Sequence, residues 1–353
     1  MQLRKPDPAT LDVDAPLSSD DGIFGLPFAE AECSVVLVPV PWEPTTSYRQ
    51  GTVDGAAAIR RASEQLDLHE PHLAAHGLAR PWAYGIHMRP EDPQVRAWNR
   101  AACALSRPIV EAGGVAAGAP EVGPVDELSA RLDGWVRTQT EGLLDRGHLV
   151  GVIGGDHSVP LGSIVAHADR GSLGILHVDA HADLRVAYEG FAGSHASIMH
   201  NVLASTEGVE RLVQVGVRDL SRAEAERQAS DERIVAHGGP DLRRRLHGGA
   251  SWAEICKRIV EDLPERVYVS FDVDGLEPHL CPNTGTPVPG GLDYAQAVTL
   301  LETVLTSGRR VVGFDLCEVA PGPDGDEWDG NVGARLTYLL CGLALHGAGA
   351  RDH

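Results

Sequence analysis

Short apolar runs alternate with amphipathic ones along most of the chain. Val35 to Val38, Leu149 to Ile153, Leu173 to Val178, Leu212 to Val217, Val267 to Phe271 and Val311 to Leu316 are apolar apart from isolated polar residues. Runs of this length without strict polar alternation predict strands covered on both faces. Between them lie stretches with helical spacing, at Val125 to Arg146, Trp252 to Leu263 and Tyr294 to Leu305. The last repeats Ala297, Leu300, Leu301, Val304 and Leu305 and stops before Gly308. Buried strands alternating with helices predict an α/β chain, a three-layer α/β/α structure with a central, mostly parallel sheet. Residues 1–30, rich in Pro and Asp, are expected to form an extended N-terminal arm. No linker, charge block or repeat divides the remainder, so 31–353 is expected to be a single domain.

The ends of three predicted strands carry the chemistry. Asp179-Ala-His181-Ala-Asp183 follows one apolar run and places a metal-binding residue type at every second position. In an extended chain those three side chains share a face. Asp272-Val-Asp274 follows another run, and Gly154-Gly-Asp-His157 closes a third. Four carboxylates and two imidazoles held together need cations to offset their charge, and they are enough to bind two divalent ions. Ligands of an open parallel sheet gather at the carboxyl ends of its strands, where all three segments fall. The Gly/Pro-rich segments Pro39 to Val53, Gly113 to Val125, Pro278 to Gly291 and Pro321 to Gly333 are expected to surround the pocket.

The donor set contains no thiolate. Carboxylates with imidazole favour Mn²⁺, two ions per subunit, while Ni²⁺, Co²⁺, iron or zinc remain alternatives. A pair of ions about 3.5–4 Å apart activates a shared water for attack on an electron-poor planar carbon. Asp183 or Asp274 is placed to bridge the ions, and a free carboxylate oxygen to orient the nucleophile. His195, in Gly193-Ser-His-Ala-Ser197, is the candidate proton donor to the leaving group. Glu318, just past the Val311 run, would suit a bidentate hydrogen bond to a guanidinium. Asp156 is expected to fix a ligand without binding metal itself, and His177 to be a buried, satisfied imidazole.

The net charge of −20 argues against a nucleic-acid partner. No apolar run is long enough to cross a bilayer, so no membrane partner is expected. The six cysteines are scattered without a Cys-x-x-Cys pair, which fits a reducing, cytoplasmic compartment.

These motifs resemble those of the ureohydrolases: arginase, agmatinase, guanidinobutyrase and their relatives. The resemblance rests on Gly154-Gly-Asp-His-Ser158, Asp179 to Asp183, Ser270-Phe-Asp-Val-Asp274 through Pro278, Gly285-Thr-Pro-Val-Pro-Gly-Gly291 and Gly313 to Pro321. Thr46-Ser-Tyr-Arg-Gln-Gly51 through Arg60 is similar to the family's N-terminal signature. The resemblance runs from about Ser34 to Gly347. It implies an arginase-like fold and a manganese hydrolase releasing urea from a guanidino compound, commonly as a trimer or hexamer. It also implies that His157, Asp179, His181, Asp183, Asp272 and Asp274 hold two Mn²⁺, that Glu318 anchors the guanidinium, and that His195 shuttles protons.

The departures concern the substrate tail. Where arginase carries Asn two positions after its Asp-x-His-x-Asp motif, this chain carries Arg185, which disfavours L-arginine. Arg185 would grip a substrate carboxylate as a fork, which points to a guanidino acid such as a guanidino-alkanoate, and it also resembles the formiminoglutamase branch. That alternative predicts a formimino substrate and formamide as product. Equally open is a pairing of Arg185 with Glu189 or a neighbouring subunit. Asp324, Asp326, Glu327 and Asp329 would instead attract an amine such as agmatine.

Overall fold

The structure, a computed structural model, describes residues 2–7 and 22–352. Eight strands form one sheet: β1 (Val35–Val40), β2 (Ile86–Met88), β3 (Leu149–Gly154), β4 (Leu173–Val178), β5 (Val209–Val215), β6 (Ile234–His237), β7 (Arg266–Asp272) and β8 (Arg310–Cys317). Their order is β2-β1-β3-β8-β7-β4-β5-β6, and every pairing is parallel.

Apolar residues on both faces explain why helices cover both sides. Val35 and Leu37 join one core cluster, while Val36, Val38 and Val40 join another. Leu176 and Val178 pack with the first, and Ile175 packs with a third beside Leu212 and Tyr268. The expected helices appear as Gly123–Asp145, Trp252–Glu261 and Tyr294–Thr306, the last two opened by capping boxes at Ser251 and Asp293.

The two edge strands were not foreseen. β2 and β6 are three and four residues long with mixed burial, too short to register as apolar runs. β5 also starts earlier than expected and ends at Val215, because Gly216 turns away at φ 96°.

Of the expected arm, residues 1 and 8–21 lie outside the described residues. The Arg4 backbone N–H donates to Ser34 Oγ at 2.7 Å, and Ile23 and Phe24 are fully buried. Among the described residues no helix is long and apolar enough to cross a membrane.

Candidate metal centre

The ligand segments follow β3, β7 and β4, and β8 stands between β3 and β7. These four central neighbours deliver their last residues to one place. Close backbone approach makes this possible at two glycines. A Cβ on Gly155 would stand 1.9 Å from the Trp42 carbonyl oxygen, and one on Gly275 2.8 Å from the Asp179 nitrogen. Asp156 N–H donates to that Trp42 carbonyl, and Glu318 N–H to the Gly155 carbonyl.

All six expected ligands converge. His157 Nδ1 lies 3.0 Å from Asp179 Oδ2, 3.4 Å from Asp183 Oδ2 and 3.3 Å from Asp272 Oδ2. His181 Nδ1 lies 3.0 Å from Asp274 Oδ2 and 3.5 Å from Asp179 Oδ1. His157 and the four carboxylates are buried, and His181 is partly open. Asp179 belongs to both halves of the cluster: one with His157, His177 and Asp183, the other with His181 and Asp274.

The route of convergence differs from simple strand alternation. β4 ends at Val178, and Asp183 reaches the cluster from the left-handed region at φ 53°. The N–H groups of Met199 and His200 donate to its carbonyl and hold that bend. Asp274 sits on the 3-10 turn Val273–Gly275, with Asp272 Oδ1 accepting its N–H.

The electrostatics are those of a site short of positive charge. Burial, then Asp274 and Asp179, raise the Asp272 carboxyl well above its usual range. Burial and Asp179 raise Asp183 to about 6. Burial opposes charge on His181, but Asp274 and Asp179 outweigh it and push the imidazole to about 12. His157 is likewise raised, its bonds to Asp179, Asp183 and Asp272 overcoming burial. Each half of the cluster has its donor atoms within 4.8 Å of one another, and its excess of carboxylate is the kind of charge that bound cations offset. The residues fit a pair of divalent ions.

Further residues fix this layer. His157 Nε2 faces Ser270 Oγ at 2.9 Å, and that hydroxyl donates to Asp315 Oδ1 at 3.1 Å. His177 is buried with both ring nitrogens engaged. Arg218 donates to the carbonyls of Asp274, Leu276 and Val288, joining a ligand turn to the cavity wall. Ser270, Asp315 and Arg218 were not among the expected site residues. Ser270 and Asp315 had a signal, lying two and three residues before Asp272 and Glu318. Asp156 was expected to fix a ligand; its Oδ1 accepts from the Ser158 N–H and hydroxyl, and its Oδ2 has no hydrogen-bond partner.

A cavity of about 260 Å³ opens over the cluster, lined by Tyr48, Asp183, Arg185, His195, Asp219 and Glu224 among others. His195 Nδ1 lies 3.3 Å from Thr45 Oγ1, and burial followed by His181 lowers its pKa to about 4. Glu318 is buried, and its Oε1 accepts the His157 N–H at 2.9 Å. Burial, then Asp156, raises its pKa well above the ordinary range. Gly285, next to the cavity residue Thr286, leaves its Oε2 uncovered, for a Cβ there would stand 3.2 Å away.

Three expectations about the wall change. Arg185 pairs with Glu224 at 3.5 Å and stacks over Tyr188 at 4.8 Å; its partner is not Glu189. Asp324, Asp326, Glu327 and Asp329 are not among the residues lining the cavity: Asp329 accepts from Asn283, Asp326 accepts the Trp328 N–H, and Glu327 faces Arg61. Besides Asp183, the carboxylates of the wall are Asp219, in the loop after β5, and Glu224, on the helix Arg222–Ser230 that follows. Of the four Gly/Pro-rich segments, those around Tyr48 and Thr286 line the cavity, whereas Val115 lies behind it on Glu189.

The model of the Arginase family matches residues 33–342. The chain is 36% identical over 327 residues to an N(1)-aminopropylagmatine ureohydrolase of Thermus thermophilus, covering 91% of this chain and 94% of that protein. It is 30% identical over 315 residues to an agmatinase of Cronobacter sakazakii, covering 88% and 87%. Among solved structures, proclavaminate amidino hydrolase from Streptomyces clavuligerus superposes with a TM-score of 0.70 at 21% identity, covering 95% of this chain and 100% of that one.

Proposed function

This chain belongs to the arginase family, and from that premise we propose that it hydrolyses a guanidino C–N bond, releasing urea from a substrate with a cationic tail of the agmatine type. The observation that carries the reading is the convergence of two imidazoles and four carboxylates on one point of the sheet, with Glu318 bonded to the same ligand segment.

His157, Asp179, His181, Asp183, Asp272 and Asp274 would hold two divalent ions, for which manganese suits the oxygen-and-imidazole set. Bound there, the ions supply Lewis acidity and a water activated at neutral pH. Glu318 takes the guanidinium N–H groups on its carboxylate, and that cation offsets the carboxylate's burial. Asp183, a cavity residue, accepts a hydrogen bond from the attacking water and orients it. The water oxygen joins the guanidine carbon, the bond to the tail nitrogen breaks, and urea and a protonated amine leave. His195 is held at Nδ1 by Thr45 and relays a proton to that amine through its ring.

The tail preference follows from the wall. Asp219 and Glu224 carry two negative charges against the single positive charge of Arg185, which favours an amine over a carboxylate. The same pairing weakens the formimino alternative, which relied on an Arg185 free to hold a carboxylate. The Thermus and Cronobacter relatives named above act on agmatine-type substrates by their names, which supports the reading.

A homo-oligomer, a trimer or hexamer, is proposed from the family resemblance, and a single catalytic domain over 31–353 behind an arm at 1–30 from the lack of any dividing linker, charge block or repeat. The six free cysteines support a cytoplasmic location. A substrate panel tests the function: agmatine, N(1)-aminopropylagmatine, guanidinobutyrate, arginine and a formimino acid, read for urea and formamide. Urea from the first two above the rest is expected; formamide, or urea from the acids alone, would overturn the reading.

A further inference from the structure

We propose that Gln214 is a positioning residue for the metal centre, setting the ring orientation and proton position of His177 and through it the carboxylate of Asp179. The proposal rests on the reading of the six residues as ion ligands and not on which substrate is cleaved.

Gln214 stands next to last on β5 and is fully buried. The parallel ladder between β4 and β5 places it opposite His177. A buried side-chain amide is costly unless its groups are satisfied, and here they are. Its Nε2 donates to the Ala182 carbonyl at 2.8 Å and meets His177 Nδ1 at 2.9 Å, while its Oε1 accepts from Gln228 Nε2 at 2.7 Å.

The Ala182 carbonyl can only accept, so the NH₂ group must face it, and a flipped amide would set two oxygens against each other. The second hydrogen of that NH₂ then requires His177 Nδ1 to be an acceptor. The ring proton is therefore on Nε2, which donates to Asp179 Oδ2 at 2.8 Å. Asp179 Oδ1 meanwhile accepts the His181 N–H at 2.6 Å. Both oxygens of the carboxylate shared by the two halves of the cluster are held before any ion arrives.

Ala182 lies between His181 and Asp183, so the same amide also restrains the loop that carries three of the six ligands. Gln228, on helix Arg222–Ser230, supports Gln214 from outside. Glu224 of that helix faces Arg185 and accepts the Leu184 N–H. One helix therefore backs both the metal layer and the substrate wall.

The test uses the full chain, with Gln214→Met, which keeps length and removes the amide, and Gln228→Met. Free Mn²⁺ is counted by its EPR signal during titration. Gln214→Met is expected to weaken Mn²⁺ binding by about tenfold or more, with kcat lowered and KM unchanged at saturating Mn²⁺. Gln228→Met should change binding by less than about threefold, since the bonds to His177 and Ala182 persist. Unchanged Mn²⁺ affinity in Gln214→Met overturns the proposal. Should that variant fail to fold, the wild type decides alone: ¹⁵N-histidine NMR of the Zn²⁺-loaded protein must show His177 protonated at Nε2 only, and a proton on Nδ1 overturns the assignment. Neither the Mn²⁺ titration nor the NMR spectrum depends on urea release, so failure of the proposed activity is separately visible.

Discussion

Arg185 and Glu224 stand 3.5 Å apart on the cavity wall, a charged pair in which the acid is buried and the base half open. With Glu224 answered by Arg185, Asp219 is left as the carboxylate available to a substrate amine. Glu224→Gln removes the negative partner and leaves Arg185 facing the cavity alone. The KM for agmatine should rise about tenfold, roughly 1.4 kcal/mol, while guanidinobutyrate improves relative to it. Steady-state kinetics on the two substrates checks this; an unchanged ratio would remove Arg185 and Glu224 from tail selection.

Glu318→Gln keeps an oxygen that can accept the His157 N–H, so the fold should persist. The charge opposite the guanidinium is lost, and kcat/KM should fall about 100-fold or more, some 2.7 kcal/mol. Circular dichroism and kinetics together separate a missing anchor from a collapsed site. Activity within about threefold of wild type would contradict the anchor role.

Much of the centre was legible in the sequence because the ligands come in short segments after apolar runs, and a parallel sheet collects strand ends at one edge. His157, Asp179 and Asp272 needed only that rule. Asp183 does stand beside His157, but a left-handed bend rather than strand alternation delivers it. Strands β2 and β6 escaped because three or four half-buried residues leave no periodic signal. The wall was harder still. Asp324 to Asp329 looked acidic and free, yet their acidic residues are not in the cavity lining and Asn283 and Arg61 face Asp329 and Glu327, while Asp219 and Glu224 reach the cavity from a helix-opening segment without a motif. Gln214 gave no sign either, since a lone glutamine in an apolar run has meaning only through its strand partner.

His167 is not part of the metal-ligand cluster and sets an acid limit on the fold. It is buried on helix Leu161–Ala168, its Nδ1–H donates to the Ser163 carbonyl, and its Nε2 packs where Gly313 has no side chain. Burial lowers its pKa to about 4 against an ordinary 6.5. The unfolded chain therefore binds the proton more readily between those values. The stability contributed is fully present above about pH 6.5 and is lost as pH falls through about 4, at most about 3 kcal/mol. Urea unfolding between pH 7 and 4.5 should show a loss in wild type that is smaller in His167→Gln; equal losses would contradict it.

Arg218 gathers backbone carbonyls from Gly216, Asp274, Leu276, Val288 and Pro289. Lysine has three donors and no planar fork, so Arg218→Lys should leave several of these groups unmet and cost about 2–3 kcal/mol. Because Val288 lines the cavity, KM should rise as well. Thermal unfolding with kinetics on the metal-loaded protein measures both, and a variant as stable as wild type would show the carbonyls to be satisfied otherwise.

The most direct measurement is urea release from agmatine as the metal-stripped protein is titrated with Mn²⁺, with bound metal determined at each point. The account predicts no urea from the stripped chain, activity that follows filling toward two ions per chain, loss on chelation and recovery on readdition. Urea release indifferent to chelation, or a folded chain holding two Mn²⁺ that releases none from any guanidino compound, would contradict it.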